Sequence, residues 1–93
     1  MPRRGISNWH YVYVLQSDED NDLYIGYTID LNQRLFKHNA KKNFSTKGRT
    51  PFKLVYIEAG LNEQDAKRRE HYLKTTQGGR FLKLRIKEYL KLN

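Results

Sequence analysis

Two side chains suited to phosphate chemistry lie four residues apart in the sequence, at Arg34 and His38. On a helix this spacing places them on one face, where together they can address one phosphate. Arginine offers a fixed fork of hydrogen-bond donors, and histidine donates a hydrogen bond or transfers a proton near neutral pH. The alternative is an exposed helix face that simply carries an arginine and a histidine.

A carboxylate at Glu70 shares the expected inward face of a later helix with Ala66 and Leu73. Burying an unpaired carboxylate is costly, so Glu70 must either pair with a cation of the protein, such as Arg34, or bind a metal ion. Both alternatives stay open at this point. The chain has no cysteine, so any metal must be held by oxygen or nitrogen.

Two tyrosines fall in a predicted β-hairpin. Residues 9–16 are aromatic and β-branched, SDEDND supplies a turn, and LYIGYT resumes the same chemistry. Symmetric pairing about the turn would place Tyr13 opposite Gly26 and Leu15 opposite Tyr24, with all four on one face of the sheet. Gly26 would then leave room for a bulky neighbour. The alternative is that both tyrosines are ordinary aromatic residues of a sheet.

The rest of the pattern predicts three helices and a third strand. Asp30 and Asn62 are placed to cap the first two helices. FKLVYIE after Pro51 alternates as a strand, and FLKLRIKEYLKL forms the last helix. We expect Gly78 and Gly79 to stop the second helix. The predicted order is β-β-α-β-α-α, an α/β chain of the α+β type in which helices flank a three-stranded antiparallel sheet.

Length and composition limit the class of protein. A chain of 93 residues is too short for two independent cores, so we expect one domain over 1–93, with residues 1–8 flexible. No stretch approaches the run of about 20 apolar residues that spans a bilayer. The absence of cysteine and of an apolar leader predicts a cytoplasmic location.

The formal net charge of +8 is unevenly distributed. Residues 31–53 carry seven basic residues and no acidic one, whereas the hairpin turn holds four carboxylates. Such a surface predicts a nucleic-acid partner; a solvated basic face and an anionic membrane are the alternatives. The candidates for contacting a DNA backbone are Lys37, Lys41, Lys42, Lys47 and Arg49.

Four segments together resemble the GIY-YIG nucleases over essentially the whole chain: YVY at 11–13, LYIGYT at 23–28, DLNQRLFKH at 30–38 and AKRREHYLK at 66–74. The resemblance is strongest to the small stand-alone branch related to the incision domain of the nucleotide excision repair nuclease. YIG is present at 24–26. Tyr-Val-Tyr stands where the family often has Gly-Ile-Tyr, so only Tyr13 carries over. Several family members have a second histidine and a late asparagine near the metal, and this sequence has no matching motif for either.

The resemblance implies a metal-dependent endonuclease that hydrolyses DNA phosphodiester bonds with one divalent cation, Mg²⁺ or Mn²⁺, in DNA repair or recombination. Glu70 would hold the cation and Arg34 would stabilise charge on the phosphate. Tyr13 would act on the attacking water, provided that the cation and Arg34 lower its pKa. Tyr24 and His38 would position water and phosphate. Gly26 would be a packing residue.

Two other functions are compatible with the charge. The alternative from a different class is a nucleic-acid-binding module that keeps the nuclease fold without cutting; a basic protein-interaction domain is a third. An inward carboxylate near phosphate favours the enzyme, because a binder gains nothing from it. No sequence-reading module is visible, which leaves room for a protein partner that supplies specificity. A membrane partner is not expected.

Overall fold

The computed structural model describes residues 8–40 and 51–91. The predicted α+β fold is confirmed, and the last predicted helix consists of two consecutive helices. None of the described helices has both the length and the apolar character needed to cross a bilayer. The elements in chain order are β1 (His10–Ser17), β2 (Leu23–Thr28), α1 (Leu31–Asn39), β3 (Phe52–Gly60), α2 (Glu63–Leu73), α3 (Thr76–Arg85) and α4 (Lys87–Lys91).

The three strands form one antiparallel sheet in the order β2-β1-β3, with β1 in the centre. The predicted hairpin register is confirmed: Tyr13 pairs with Gly26, and Leu15 with Tyr24. Within the turn, Asn21 takes a left-handed conformation with φ of 61°, which asparagine tolerates better than most residues. The register of the hairpin is therefore supported by a turn that places an asparagine at its left-handed position.

The pairing of β3 with β1 contains a shift next to Val55. Val14 pairs with Tyr56 and Leu15 with Leu54, so Val55 is an extra residue on β3. We expected the side chains of β3 to alternate strictly between the two faces of the sheet. This expectation is wrong beyond Val55, because the extra residue shifts the following side chains to the opposite face. Val55 and Tyr56 both pack on the same core cluster.

Apolar side chains cover both faces of the sheet. On one face, Val12 and Val14 of β1 pack with residues of α2 and α3, including Leu73 and Leu82. On the other face, Tyr13, Leu15 and Phe52 are buried beside Tyr24 and α1, which contributes Leu31 and Leu35. The candidate site residues of β1, β2 and α1 therefore meet on the α1 side of the sheet.

The helix starts follow the predicted caps, but the end of the second helix does not follow the glycines. Asp30 accepts a hydrogen bond from the Gln33 amide (3.0 Å), and Asn62 accepts one from the Asp65 amide (2.9 Å). These contacts satisfy amides that a helix start leaves unpaired.

Gly78 and Gly79 lie inside α3, so the expectation that they stop the second helix is wrong. That helix ends at Leu73, and Thr75 caps α3 by accepting a hydrogen bond from the Gly78 amide (3.0 Å). A Cβ at residue 78 would overlap the backbone carbonyl of Tyr72. Gly78 is therefore needed because α3 begins in direct contact with the end of α2.

Candidate active site

Tyr13 lies at the centre of the site, across Gly26. The tyrosine is 2% exposed, and a Cβ at residue 26 would overlap its hydroxyl group and ring. The antiparallel register sets this arrangement, because it places the two residues directly opposite each other on neighbouring strands. Gly26 thus provides the space in which the phenol lies.

His38 is fully buried against the two tyrosines. Its Nε2 lies 3.1 Å from the Tyr13 hydroxyl, and its ring meets the Tyr24 ring edge-on with centroids 5.0 Å apart. His38 contacts the Tyr13 hydroxyl and has no exposed surface of its own, so the joint binding of one phosphate by Arg34 and His38 stays a prediction. The sequence contained the signal for this burial: Leu31, Leu35 and His38 follow the helical core spacing, so His38 continues the buried stripe of α1.

Arg34 approaches the same phenol from the more exposed side of α1. It is half-buried, and its guanidinium acts on the Tyr13 hydroxyl both by charge and as a hydrogen-bond donor. Its charge also acts on His38. Arg34 thus joins the buried pair to the surface, where a phosphate can reach it.

The pKa values of the pair are displaced in opposite directions. Burial raises the pKa of Tyr13, and the positive charge of Arg34 offsets only part of this increase. Arg34 therefore lowers the Tyr13 pKa as expected, but the effect of burial is larger, and the pKa stays above its ordinary value of 10.0. Burial and the charge of Arg34 both lower the pKa of His38. Both groups are therefore neutral near neutral pH.

Glu70 is positioned by α2 within electrostatic range of Tyr13, whose pKa its charge raises slightly. Its carboxylate lies 2.9 Å from the ammonium group of Lys74, one helical turn further on. Of the two alternatives for Glu70, a cation of the protein is present beside the carboxylate, and that cation is Lys74 rather than Arg34. We missed Lys74 in the sequence, although a spacing of four residues from glutamate to lysine is a known helical ion-pair signal.

The carboxylate of Glu70 remains within reach of a ligand, since its side chain is 21% exposed. Among residues 8–40 and 51–91, no three His, Cys, Asp or Glu side chains converge as a closed metal site. Mg²⁺ needs no such cage, because it commonly binds one or two carboxylates and completes its shell with water and substrate phosphate. A single glutamate that a phosphate can approach fits an ion of this type.

The proposed DNA-contacting residues fall mostly outside the described part of the chain. Lys37 is exposed in the last turn of α1, one residue before His38. Lys41, Lys42, Lys47 and Arg49 lie outside the described residues. The described structure therefore places one of the five, at the end of the helix that carries Arg34.

Comparison with known proteins shows similarity over most of the chain, beyond the residues of the candidate site. The GIY-YIG catalytic domain matches residues 9–83. A UPF0213 protein of Oceanobacillus iheyensis is 40% identical over 81 residues, which cover 86% of this chain and 91% of that protein. A UPF0213 protein of Staphylococcus haemolyticus is 42% identical over 76 residues, or 81% and 92% of the two chains. The solution NMR structure of the UPF0213 protein BH0048 from Bacillus halodurans aligns with a TM-score of 0.50 at 36% identity, covering 80% of this chain and 81% of that one.

Proposed function

Because this chain belongs to the GIY-YIG family of nucleases, we propose that it is a metal-dependent endonuclease that hydrolyses DNA phosphodiester bonds. The observation that carries the proposal is the contact between Tyr13 and His38, 3.1 Å long, with Arg34 acting on the same hydroxyl group. A phenol held between a neutral imidazole and a guanidinium is arranged for proton transfer beside an anion.

Tyr13 and His38 would activate the attacking water as a relay. Arg34 can only donate hydrogen bonds, so the Tyr13 oxygen accepts from it. In the His38 tautomer that carries its proton on Nδ1, Nε2 accepts the hydrogen bond of the Tyr13 hydroxyl. The water proton passes to the Tyr13 oxygen as the Tyr13 proton passes to Nε2. The hydroxide oxygen bonds to phosphorus, and the bond from phosphorus to the leaving sugar oxygen breaks. The leaving alkoxide takes a proton from water, and His38 returns its proton through Tyr13 to solvent, which restores both neutral groups. The relay starts from two neutral groups and therefore needs no tyrosinate.

Arg34 would bind the phosphate and stabilise its developing charge. Its planar fork matches two phosphate oxygens, and its half-buried position limits competition from water. Donors of this kind typically contribute about 10²- to 10³-fold to the rate. Tyr24, packed against His38, would hold the imidazole in line with Tyr13.

Glu70 would hold the divalent cation, Mg²⁺ or Mn²⁺, which supplies charge neutralisation at the scissile phosphate when bound. Lys74 must then leave the carboxylate. Lys74 is half exposed although Glu70 is only 21% exposed, so the lysine ammonium can move into water. Ion pairs of this spacing on exposed helix faces contribute about 0.3–0.5 kcal/mol. The ion pair is therefore a weak barrier to metal binding.

The test of the relay is single-turnover cutting of a short DNA duplex by Tyr13→Phe, with Tyr11→Phe as the matched control. Tyr11 lies on the same strand and is partly exposed. We expect the cutting rate of Tyr13→Phe to be lower than that of wild type by a factor of about 10² or more, as loss of a general base predicts. Tyr11→Phe should cut at the wild-type rate. Equal rates for Tyr13→Phe and wild type would reject the relay.

A second candidate function is a nucleic-acid-binding module that does not cut. The ion pair between Glu70 and Lys74 favours it, because a lysine partner accounts for the carboxylate without any metal. The buried contact between Tyr13 and His38 favours the enzyme, since a module that only binds backbone phosphates has no use for a relay below its surface.

A further inference from the structure

A groove of about 490 Å³ lies beside the site, between β2 and the corner where α2 meets α3. β2 is an outer strand of the sheet, so one of its edges is not covered by another strand of the sheet. The groove meets the candidate site at two residues: Tyr24, which packs on His38, and Lys74, which pairs with Glu70. We call it the β2 groove; none of the roles proposed above places a ligand in it.

The walls of the β2 groove suit a flat apolar ligand. Leu23 and Ile25 of β2 line one side, and Leu90 lines the helical side together with the core residues Leu73 and Leu82, which are each only 1% exposed. The volume falls within the range of roughly 300–1,000 Å³ of typical small-molecule sites. One nucleotide is a ligand of this size, with an apolar ring face and a polar ring edge. The outer strand offers backbone donors and acceptors to such an edge.

The charges around the β2 groove fit a nucleotide in one orientation. Lys74 and Lys83 are exposed cations that line it on the helical side, where they would attract a phosphate. Asp22 lines it at the start of β2 and would repel one. The phosphate would therefore lie by the lysines and the base by the strand. Lys74 also pairs with Glu70, the proposed metal ligand. A phosphate bound by Lys74 in the groove would therefore lie next to the phosphate that is cut.

We infer that the β2 groove binds an unpaired nucleotide of the DNA, next to the phosphate that is cut; this inference rests on the proposed function. A base must leave the stack of the DNA duplex to enter a groove on the protein surface, and leaving costs least when the base has no partner. The groove therefore selects DNA that carries a mismatched, bulged or branched nucleotide beside the cutting site.

Gly79 offers a way to fill the groove without disturbing the fold. It lines the groove inside α3, and a Cβ there meets only the Leu73 carbonyl oxygen, at 3.9 Å, which is ordinary contact. A leucine at this position extends into the groove, and leucine is a better helix former than glycine. Gly60→Leu is the matched control, because a Cβ at residue 60 meets nothing within 4 Å and residue 60 is not part of the groove.

The experiment compares the affinity of the protein for two short duplexes that differ in one 2-aminopurine nucleotide, unpaired in one and paired in the other. Binding is measured in EDTA, so that no strand is cut. We expect wild type and Gly60→Leu to bind the unpaired duplex at least about fivefold more tightly, as stacking of one base predicts. In Gly79→Leu this preference should disappear, and the change in 2-aminopurine fluorescence on binding should disappear with it.

Equal affinity of wild type for the two duplexes would overturn the inference, and the groove would then be open to another occupant, such as a peptide strand paired with β2. A Gly79→Leu variant that keeps the preference, or that loses affinity equally for both duplexes, would overturn it as well. Plasmid nicking by the same preparations separates this result from the proposed function. Nicking without discrimination rejects only the groove, and discrimination without nicking rejects only the nuclease.

Discussion

Tyr13 on β1 fills the space that a side chain at residue 26 of β2 would occupy, so Gly26 and the phenol are complementary in shape. Gly26→Ala should push the ring away from His38. We expect a loss of about 1–3 kcal/mol in the free energy of unfolding, typical of overpacking a filled core, together with a loss of DNA cutting. Urea denaturation measures the first effect.

The control for this prediction is Gly60→Ala, where the added methyl group meets nothing within 4 Å. Its stability should stay within about 0.5 kcal/mol of wild type, as for most substitutions outside the core. A Gly26→Ala protein as stable as the control would show that Tyr13 can yield the space easily, and that the pair does not hold the phenol in place.

Arg34 has a positive charge and a planar set of hydrogen-bond donors, and two substitutions separate the effects of these two properties on cutting. Arg34→Ala should abolish cutting and leave the fold intact. Arg34→Lys keeps the charge but loses the planar fork, so we expect a rate about 10²-fold below wild type. Single-turnover cutting of a duplex measures both. Arg68→Lys, at an exposed arginine on α2, is the control; a rate for Arg34→Lys equal to that of Arg68→Lys would contradict the role of the fork.

The burial of His38 makes stability depend on pH in a predictable direction. Its pKa in the folded protein lies below its ordinary value of 6.5. As the pH falls through 6.5, the histidine of the unfolded chain takes up a proton while His38 in the folded protein is still neutral. The free energy of unfolding therefore decreases. The slope is at most about 1.4 kcal/mol per pH unit. We expect it between about pH 7 and 5, measured by urea denaturation at each pH.

His38→Gln should flatten this pH dependence, because glutamine does not titrate. His71→Gln removes an exposed histidine of α2 and should retain the wild-type slope. Identical slopes for wild type and His38→Gln would mean that another group causes the loss of stability in acid.

The basic run from residue 31 to 53 predicts a salt-sensitive interaction with DNA. The dissociation constant should rise steeply with salt concentration. A plot of the logarithm of the dissociation constant against the logarithm of the salt concentration should have a slope of about 0.9 for each phosphate contacted on duplex DNA. Fluorescence anisotropy in EDTA at several salt concentrations measures it. Replacing the five proposed contact residues by glutamine should reduce the slope: Lys37, Lys41, Lys42, Lys47 and Arg49. Glutamine at Lys87 and Lys91 is the control, and a flat dependence in wild type would exclude backbone binding by this run.

The hairpin and the helix caps could be predicted from the sequence because local chemistry determines them. The turn fixes which residues of β1 and β2 face each other, and so brings Tyr13 to Gly26. Asp30 and Asn62 cap helices through amides three residues away. None of these features depends on a distant part of the chain.

The features that could not be predicted depend on contacts between distant elements. The extra residue Val55 appears only when β3 pairs with β1. Gly78 reads as a helix stop, but the approach of α3 to Tyr72 makes it a packing residue inside a helix. His38 and Lys74 were a different kind of miss, because their helical spacings were visible. The place of His38 after Leu31 and Leu35 on the helix indicates burial, and this spacing decides its position more strongly than the polar chemistry of its ring.

The central claim is that Glu70 holds the cation that cutting requires. The most direct measurement is nicking of supercoiled plasmid by wild type and by Glu70→Gln, with Mg²⁺ or Mn²⁺, beside an EDTA control and the matched variant Glu88→Gln, which alters an exposed glutamate of α4. We predict nicking by wild type and Glu88→Gln that stops in EDTA, and none by Glu70→Gln. Nicking by Glu70→Gln at the wild-type rate, or no nicking by a wild-type protein that still binds DNA, would contradict the claim.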